Sequence, residues 1–239
     1  VATYDNKGFL NWDPRGRDAP AGDANIGSLV QKFAELIKGA GKDGCEFEAT
    51  LEAWYRFLVD PAPSLRMIPC ACFDGDAELQ CRCPDGIDTL VLQQRVDMIR
   101  QDSALVIVML SDENDCSVVD GGQNYLALQA SDGASPFHLA RGTEACQADP
   151  WSPDCRSCWE DAATGDAACA EGWGNGDIDA LNLRCYEQER RFGIDFLQPI
   201  GRYVDGLTQR RFPNGTPEVE DDDINPVFCT KYATTPDPN

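Results

Sequence analysis

The chain has 239 residues, of which 42% are hydrophobic, and its formal net charge is −21, from 41 acidic and 20 basic residues. This length and apolar content are enough to fill a real core, so we predict a globular protein of one large or two small domains. The negative charge repels nucleic-acid phosphate and anionic membranes, so it disfavours nucleic-acid binding and favours cations or basic partners.

Twelve cysteines indicate an oxidising compartment, because a reducing cytosol rarely sustains that density without metal clusters. No apolar run reaches the ~18 residues that a transmembrane segment needs. The chain begins at Val1 without an initiator Met, which we interpret as a mature chain whose export signal has been removed. The predicted location is extracellular, at the cell surface or in the periplasm. We predict disulfides at Cys45, Cys70, Cys72, Cys81, Cys83, Cys116, Cys146, Cys155, Cys158, Cys169, Cys185 and Cys229.

Two amphipathic helices are predicted before residue 60. Apolar residues recur at helical spacing over 28–38, with Ser28 as the N-cap and Gly39 as the stop. The same spacing over 47–59 predicts a second helix, which ends before Pro61.

A cysteine-rich insertion is predicted over 60–88, where two close cysteine pairs lie in a segment with little apolar periodicity. Such a segment must be held by cross-links and not by packing. The four thiolates of Cys70, Cys72, Cys81 and Cys83 could instead complete a tetrahedral zinc site. In an exported chain with a single histidine, disulfides are the better interpretation.

The centre of the fold is predicted to lie in the segment after this insertion. A helical pattern over 90–100 leads into 104–110, seven apolar residues rich in β-branched side chains. We interpret 104–110 as a central strand covered on both faces. In open α/β sheets, ligands bind at the carboxyl ends of the strands.

Four side chains with oxygen atoms follow that strand directly. They are Asp112, Glu113, Asn114 and Asp115, and Cys116 comes next. Because Ca²⁺ and Mg²⁺ require oxygen ligands, we predict these four residues as metal ligands. The alternative is an acidic turn whose side chains cap a helix or face water.

The chain from 118 to 177 is predicted to be a second disulfide-held excursion, because a structureless loop of that length is unusual unless it is cross-linked or functional. Cys155 and Cys158 could alternatively form a catalytic dithiol, although such a motif usually opens a helix after a strand. Helices are predicted over 178–191 and 199–207, with a short strand at 192–196 between them.

Two further features are interpreted without a functional role. Asp221, Asp222, Asp223 and Asn225 could form another Ca²⁺ cluster, but a solvated acidic run explains them. His138 is the only histidine, and no Gly-x-Ser-x-Gly or His-Glu-x-x-His motif occurs, so we interpret it as a surface or loop histidine.

The alternation of helix, strand and helix favours a doubly wound α/β domain, and four stretches also carry a resemblance to a known family. They are GKDGCEFEATLEAWYRFLV (41–59), DSALVIVMLSDENDCS (102–117), LRCYEQERRFGIDFLQPIGRYVDGLT (183–208) and INPVF (224–228). They resemble secreted von Willebrand factor A-like proteins of predatory and social soil bacteria. The resemblance implies a single domain over 1–239, a doubly wound sheet with helices on both faces, and insertions at 60–88 and 118–177.

In that fold, three loops at the carboxyl edge of the sheet hold a divalent cation, and by similarity Asp112 takes the position of the third loop. The second loop would be 41–46, which contains no Thr, and the Asp-x-Ser-x-Ser of the first loop is absent. If Cys45 and Cys116 lie in loops at this same edge, a disulfide between them is expected.

The leading hypothesis is therefore a protein-binding, adhesion or assembly domain that is not an enzyme, with Ca²⁺ or Mg²⁺ as the candidate ion. Its partner would be another protein or a second copy of the chain, and the insertions 60–88 and 118–177 are the candidate contact surfaces. One alternative is a structural subunit of an extracellular filament or coat. Another is an exported enzyme, either a hydrolase with clustered carboxylates or a thiol-disulfide oxidoreductase.

Overall fold

The structure, a computed structural model, describes residues 2–41, 47–70, 81–100, 103–119, 129, 136–170 and 174–209. The helices in these residues are α1 (Ile26–Ala40), α2 (Thr50–Leu58), α3 (Thr89–Met98), α4 (Glu144–Ala148), α5 (Ala167–Ala170), α6 (Gln188–Phe192) and α7 (Ile200–Thr208). Two strands, β1 (Ser64–Cys70) and β2 (Cys81–Ile87), form one sheet, and short 3₁₀ turns occupy Tyr4–Asn6, Asp161–Ala163 and Leu181–Leu183.

Helix α1 begins two residues before the predicted start, because Asn25 and not Ser28 is its N-cap. The Asn25 side chain accepts hydrogen bonds from the backbone N–H groups of Gly27 (2.8 Å) and Ser28 (3.2 Å), as an N-cap asparagine does. The predicted amphipathic pattern is present, but the apolar side of α1 is more than half exposed, at Ile26, Val30, Phe33 and Ile37.

Helices α2 and α7 form the first core of the molecule and confirm the helices predicted over 47–59 and 199–207. Tyr55 and Leu58 of α2 are buried against Tyr203 of α7, and the two tyrosine rings meet edge to face with centroids 5.7 Å apart. Gly206 permits this approach, since a Cβ there would lie 2.8 Å from the Tyr55 ring.

The insertion at 60–88 is a cross-linked β-hairpin, which confirms that it is held by a disulfide. Strands β1 and β2 pair antiparallel, with Ser64 opposite Ile87, and a disulfide joins Cys70 to Cys83. Two of the four thiolates of the alternative zinc site are therefore consumed in that bond. The strands themselves were not predicted.

The interpretation of 104–110 as a buried central strand is wrong for the described structure. The segment is extended but pairs with no strand among the described residues, and Val106, Val108 and Leu110 are 77%, 75% and 87% exposed. Only Ile107 packs against the α2–α7 core. The sheet in the described residues has two antiparallel strands, so the doubly wound, von Willebrand A-like sheet stays a prediction.

The disulfide-rich part of the chain has its own small core of Leu139, Phe192 and Phe196. Disulfides Cys146–Cys155 and Cys158–Cys169 confirm that the excursion predicted over 118–177 is cross-linked.

The helix predicted over 178–191 is wrong in extent, because a 3₁₀ turn and the short helix α6 take its place. The backbone leaves helical geometry at Glu187, whose φ of 45° and ψ of 47° lie in the left-handed region. Arg184, in the turn before it, is fully buried and donates to the carboxylate of Asp179 and to the carbonyl of Phe137. The strand predicted at 192–196 is also missing, and an isolated bridge between Val118 and Leu197 follows it.

A disulfide between Cys116 and Cys185 joins the loop beside α2 to the segment that precedes α6. It corrects the predicted Cys45–Cys116 bridge, whose other member lies outside the described residues. Eight of the predicted disulfide cysteines are thus paired. Cys72 and Cys229 also lie outside the described residues, as does the side chain of Cys81. None of the described helices is long and apolar enough to cross a membrane.

Candidate functional site

The acidic loop predicted to bind a metal lies against the first turn of α2. Asp115 Oδ1 accepts a hydrogen bond from the backbone N–H of Leu51 (2.9 Å), and Ser117 Oγ accepts one from Glu52 (3.0 Å). The first N–H groups of a helix have no partner within the helix, so this distant loop supplies what the local sequence lacks. The negative charge of Asp115 also complements the positive end of the helix dipole.

The four predicted metal ligands are therefore in different situations. Asp115 is engaged as a cap, Asn114 is half-buried, and Asp112 and Glu113 are exposed. Among the described residues no three His, Cys, Asp or Glu side chains are grouped as a metal site requires. Asp115 matches the alternative interpretation, in which the acidic turn caps a helix. A Ca²⁺ or Mg²⁺ site at this loop stays a prediction. The second acidic cluster, at 221–225, lies outside the described residues.

Arg95 of α3 holds the other end of α2, a contact that sequence reasoning missed. Its guanidinium donates to the carbonyl oxygens of Arg56 (3.0 Å), Phe57 (2.6 Å) and Asp60 (2.7 Å). The last carbonyls of a helix lack partners within it, so Arg95 caps the C-terminus of α2. Burial lowers the pKa of Arg95 to about 10, which marks how completely this cation has left water.

The side of α2 between these two caps is tied to α7 by charged groups. Arg202 donates to both carboxylate oxygens of Glu52, at 2.9 and 3.3 Å, and the Tyr203 hydroxyl donates to the same carboxylate at 2.9 Å. The Arg202 guanidinium also lies 3.9 Å from the centre of the Tyr55 ring. Burial acts to lower the pKa of Arg202, but the hydrogen bond and charge of Glu52 outweigh it and raise that pKa. Glu52, whose backbone N–H donates to Ser117 beside the acidic loop, thus also connects α2 to α7.

The extended segment before this loop presents a row of apolar side chains to solvent. Ile107 faces the core, whereas Val106, Val108 and Leu110 point away and are the most exposed residues of 104–110. Leu105 and Met109, on the same side of the segment as Ile107, are 42% and 51% exposed, so that side is only partly covered. We call Val106, Val108 and Leu110 the exposed stripe. An open groove of about 1340 Å³ runs beside residues 103–107, opposite residues near the N-terminus.

His138, interpreted as a surface or loop histidine, lies in a loop and is half-buried beside a buried ion pair. Its Nδ1 lies 3.7 Å from Asp179 Oδ2 and has no hydrogen-bond partner in the described part of the chain. Both oxygens of Asp179 bind Arg184, and one also accepts the N–H of Leu139 at 2.7 Å. A carboxylate committed in this way positions the backbone, and no pattern in the sequence indicated the pairing.

The predicted dithiol alternative does not match the disulfides. Cys155 is bonded to Cys146 and Cys158 to Cys169, so the two cysteines belong to separate disulfides. Neither is a partner for the other in a redox cycle.

Comparison with protein-family models, with curated proteins and with solved structures finds no match to this chain. The resemblance to von Willebrand A-like proteins therefore rests on the four stretches quoted above and stays a prediction.

Proposed function

We propose that this protein is a secreted or surface-exposed, disulfide-stapled domain that binds another protein through residues 104–110 and the acidic loop that follows. The observation that carries the proposal is the exposed stripe on an extended segment that has no strand partner among the described residues. The four disulfides support an oxidising location outside the cytosol.

An unpaired extended segment is a template for another strand. Its N–H and C=O groups point sideways and can bond to a partner backbone, while alternate side chains provide specificity. The exposed stripe adds an apolar surface that a partner would remove from water, at about 25 cal/mol per Å² of buried apolar area. The groove beside 103–107 leaves space for an extended segment.

The charge of the chain indicates the kind of partner. A net charge of −21 opposes close contact between two copies and attracts a basic protein. Asp112 and Glu113 are exposed at the end of the exposed stripe, so a basic strand would meet carboxylates there. We therefore propose a partner strand with alternating apolar and basic residues. A divalent cation at this loop is the second element of the proposal, as in the predicted ion-dependent adhesion.

Hydrogen exchange of the monomeric protein tests whether the segment is open. Amides of 106–110 should exchange rapidly, while those of α2, such as Tyr55 and Leu58, are protected because they lie in a capped and buried helix. Strong protection of 106–110 in the dilute monomer would mean that the strand is paired within the chain. That result supports the doubly wound sheet and removes the proposed binding edge.

A peptide titration tests the partner. The probe is a seven-residue peptide of alternating lysine and β-branched residues, with a glutamate-for-lysine peptide as its control. We expect the lysine peptide to protect 106–110 and the glutamate peptide to leave them unprotected. Val108→Lys should abolish this protection, whereas Leu90→Lys, a matched change at an exposed residue of α3, should retain it. Equal binding to both variants contradicts the proposal.

Sedimentation with Ca²⁺ or with a chelator separates the remaining alternatives. A filament or coat subunit would self-associate without the peptide, and Val108→Lys would dissolve that assembly. If peptide binding or self-association requires Ca²⁺, and Asp112→Asn removes that requirement, the result would support the predicted ion. Peptide binding that is unchanged by the chelator would eliminate the ion from the proposal and leave the strand contact in place.

A further inference from the structure

A small pocket of about 290 Å³ lies beneath Trp151, away from the proposed binding edge. The Trp151 side chain is 80% exposed. A tryptophan held open to water in this way retains a large apolar ring that a ligand can cover. Helix α6 and the segment around Asp195 form the other walls of the pocket.

Three carboxylates line this pocket, from Glu187, Glu189 and Asp195. The only basic residue in the lining, Arg190, already donates to the carbonyl of Gln147 at 2.7 Å and lies 3.8 Å from Glu187. Burial, together with the charge of Asp195, raises the pKa of Glu189. Glu189 and Asp195 repel each other, and a bound cation would relieve that repulsion.

Gln188, which also lines the pocket, provides a second and independent sign of a ligand. The residue is only 3% exposed, and its Oε1 accepts the backbone N–H of Phe196 at 2.8 Å. This bond fixes the orientation of the side-chain amide. The amide nitrogen, Nε2, is buried and has no hydrogen-bond partner among the described residues. A buried donor without an acceptor is destabilising. A ligand that brings a carbonyl oxygen to this donor would remove the penalty.

We propose that this pocket binds a lysine or arginine side chain of a polypeptide. The cation lies on the face of Trp151 and is neutralised by Glu189 and Asp195, while a carbonyl oxygen of the same peptide accepts from Gln188 Nε2. A ligand with both a cation and an amide carbonyl satisfies all these groups. The site is separate from residues 104–110, so it goes beyond the function proposed above and is tested without it.

The test uses the full chain with ¹⁵N-labelled tryptophan indoles. The signal of Trp151 is assigned by its loss in Trp151→Phe. The probe is the blocked tripeptide acetyl-Gly-Lys-Gly-amide, and its control replaces lysine with norleucine, which has the same length without the charge. We expect the lysine peptide to shift the Trp151 signal saturably in the millimolar range, as a single side-chain anchor does, and the norleucine peptide to leave it in place.

Variants and a pH series then identify which carboxylates bind the lysine side chain. Glu189→Gln should weaken binding about fivefold or more, whereas Glu160→Gln, an exposed glutamate outside the pocket, should not. Binding by the wild type should fall at acid pH as Glu189 becomes protonated, and Glu189→Gln should lose part of this dependence. The proposal would be overturned by any of three results: no saturable shift, an equal shift with the norleucine peptide, or a shift caused only by N-acetylglucosamine. The last result would indicate a carbohydrate site.

Discussion

Replacement of Arg95 by Met tests whether α2 depends on a cap supplied from another helix. Arg95 is only 1% exposed and donates to three backbone carbonyls around the end of α2. Met keeps the apolar volume but donates no hydrogen bond. Arginine and methionine have similar helix propensities, so the change leaves the intrinsic stability of α3 nearly unaltered.

The expected loss follows from the acceptors that remain without a donor. The bond to the Arg56 carbonyl is the longest of the three, at 3.0 Å, and we leave it out of the estimate. The carbonyls of Phe57 and Asp60 are bonded at 2.6 and 2.7 Å in partly buried surroundings. Hydrogen bonds from charged groups contribute about 1.5–3 kcal/mol each, so the loss of these two bonds should lower the free energy of unfolding by at least about 3 kcal/mol.

Urea unfolding monitored by circular dichroism provides the measurement. The midpoint should move to lower urea with an unchanged m-value, because the surface exposed on unfolding is the same. Arg66→Met is the matched control, since the Arg66 side chain is 68% exposed and forms its ion pair, among the described residues, with the surface residue Asp85. Such a pair is worth about 0–1 kcal/mol. If Arg95→Met is no more destabilising than Arg66→Met, the capping argument is refuted.

Three further predictions concern the loop, the disulfides and acid pH. Asp115→Ala should destabilise the fold by about 1–2 kcal/mol through loss of the α2 cap, and Asp112→Ala should not, as urea midpoints would reveal. Peptide mapping without reduction should recover Cys155 and Cys158 in separate disulfides, and a Cys155–Cys158 bond would contradict the structure. Backbone N–H groups lower the pKa of Asp13. Its carboxylate thus stabilises the fold above pH 3.8, and this contribution is lost as the pH falls further. An NMR titration midpoint at or above that value would be contrary evidence.

The helices and the cross-linked segments were predictable where a local sequence pattern determines them. In α2 and α7 the apolar residues recur at helical spacing, and the same residues, Tyr55, Leu58 and Tyr203, form the core. Cysteine density likewise predicted that 60–88 and 118–177 would be cross-linked. The partners of individual cysteines were not predictable, because pairing depends on distances that the tertiary fold sets.

The candidate site was predictable in composition but not in arrangement. An acidic cluster was evident at 112–115, yet its contact with α2 joins residues far apart in the sequence. A run of apolar residues at 104–110 indicates that these side chains favour burial. It does not indicate whether another element of the fold packs against them. The burial of Arg184 and the position of His138 beside Asp179 were not predictable either, since a buried ion pair has no periodic signal in the sequence.

The capping of α2 from both sides has a consequence for how the chain acquires its shape during synthesis. Helices shorter than about 12–15 residues are marginal in water, and α2 has nine. Its caps, Arg95 and Asp115, leave the ribosome well after the helix itself. A nascent chain that ends before Arg95 therefore holds α2 as a fluctuating segment, and this part of the protein becomes ordered only when the later residues arrive.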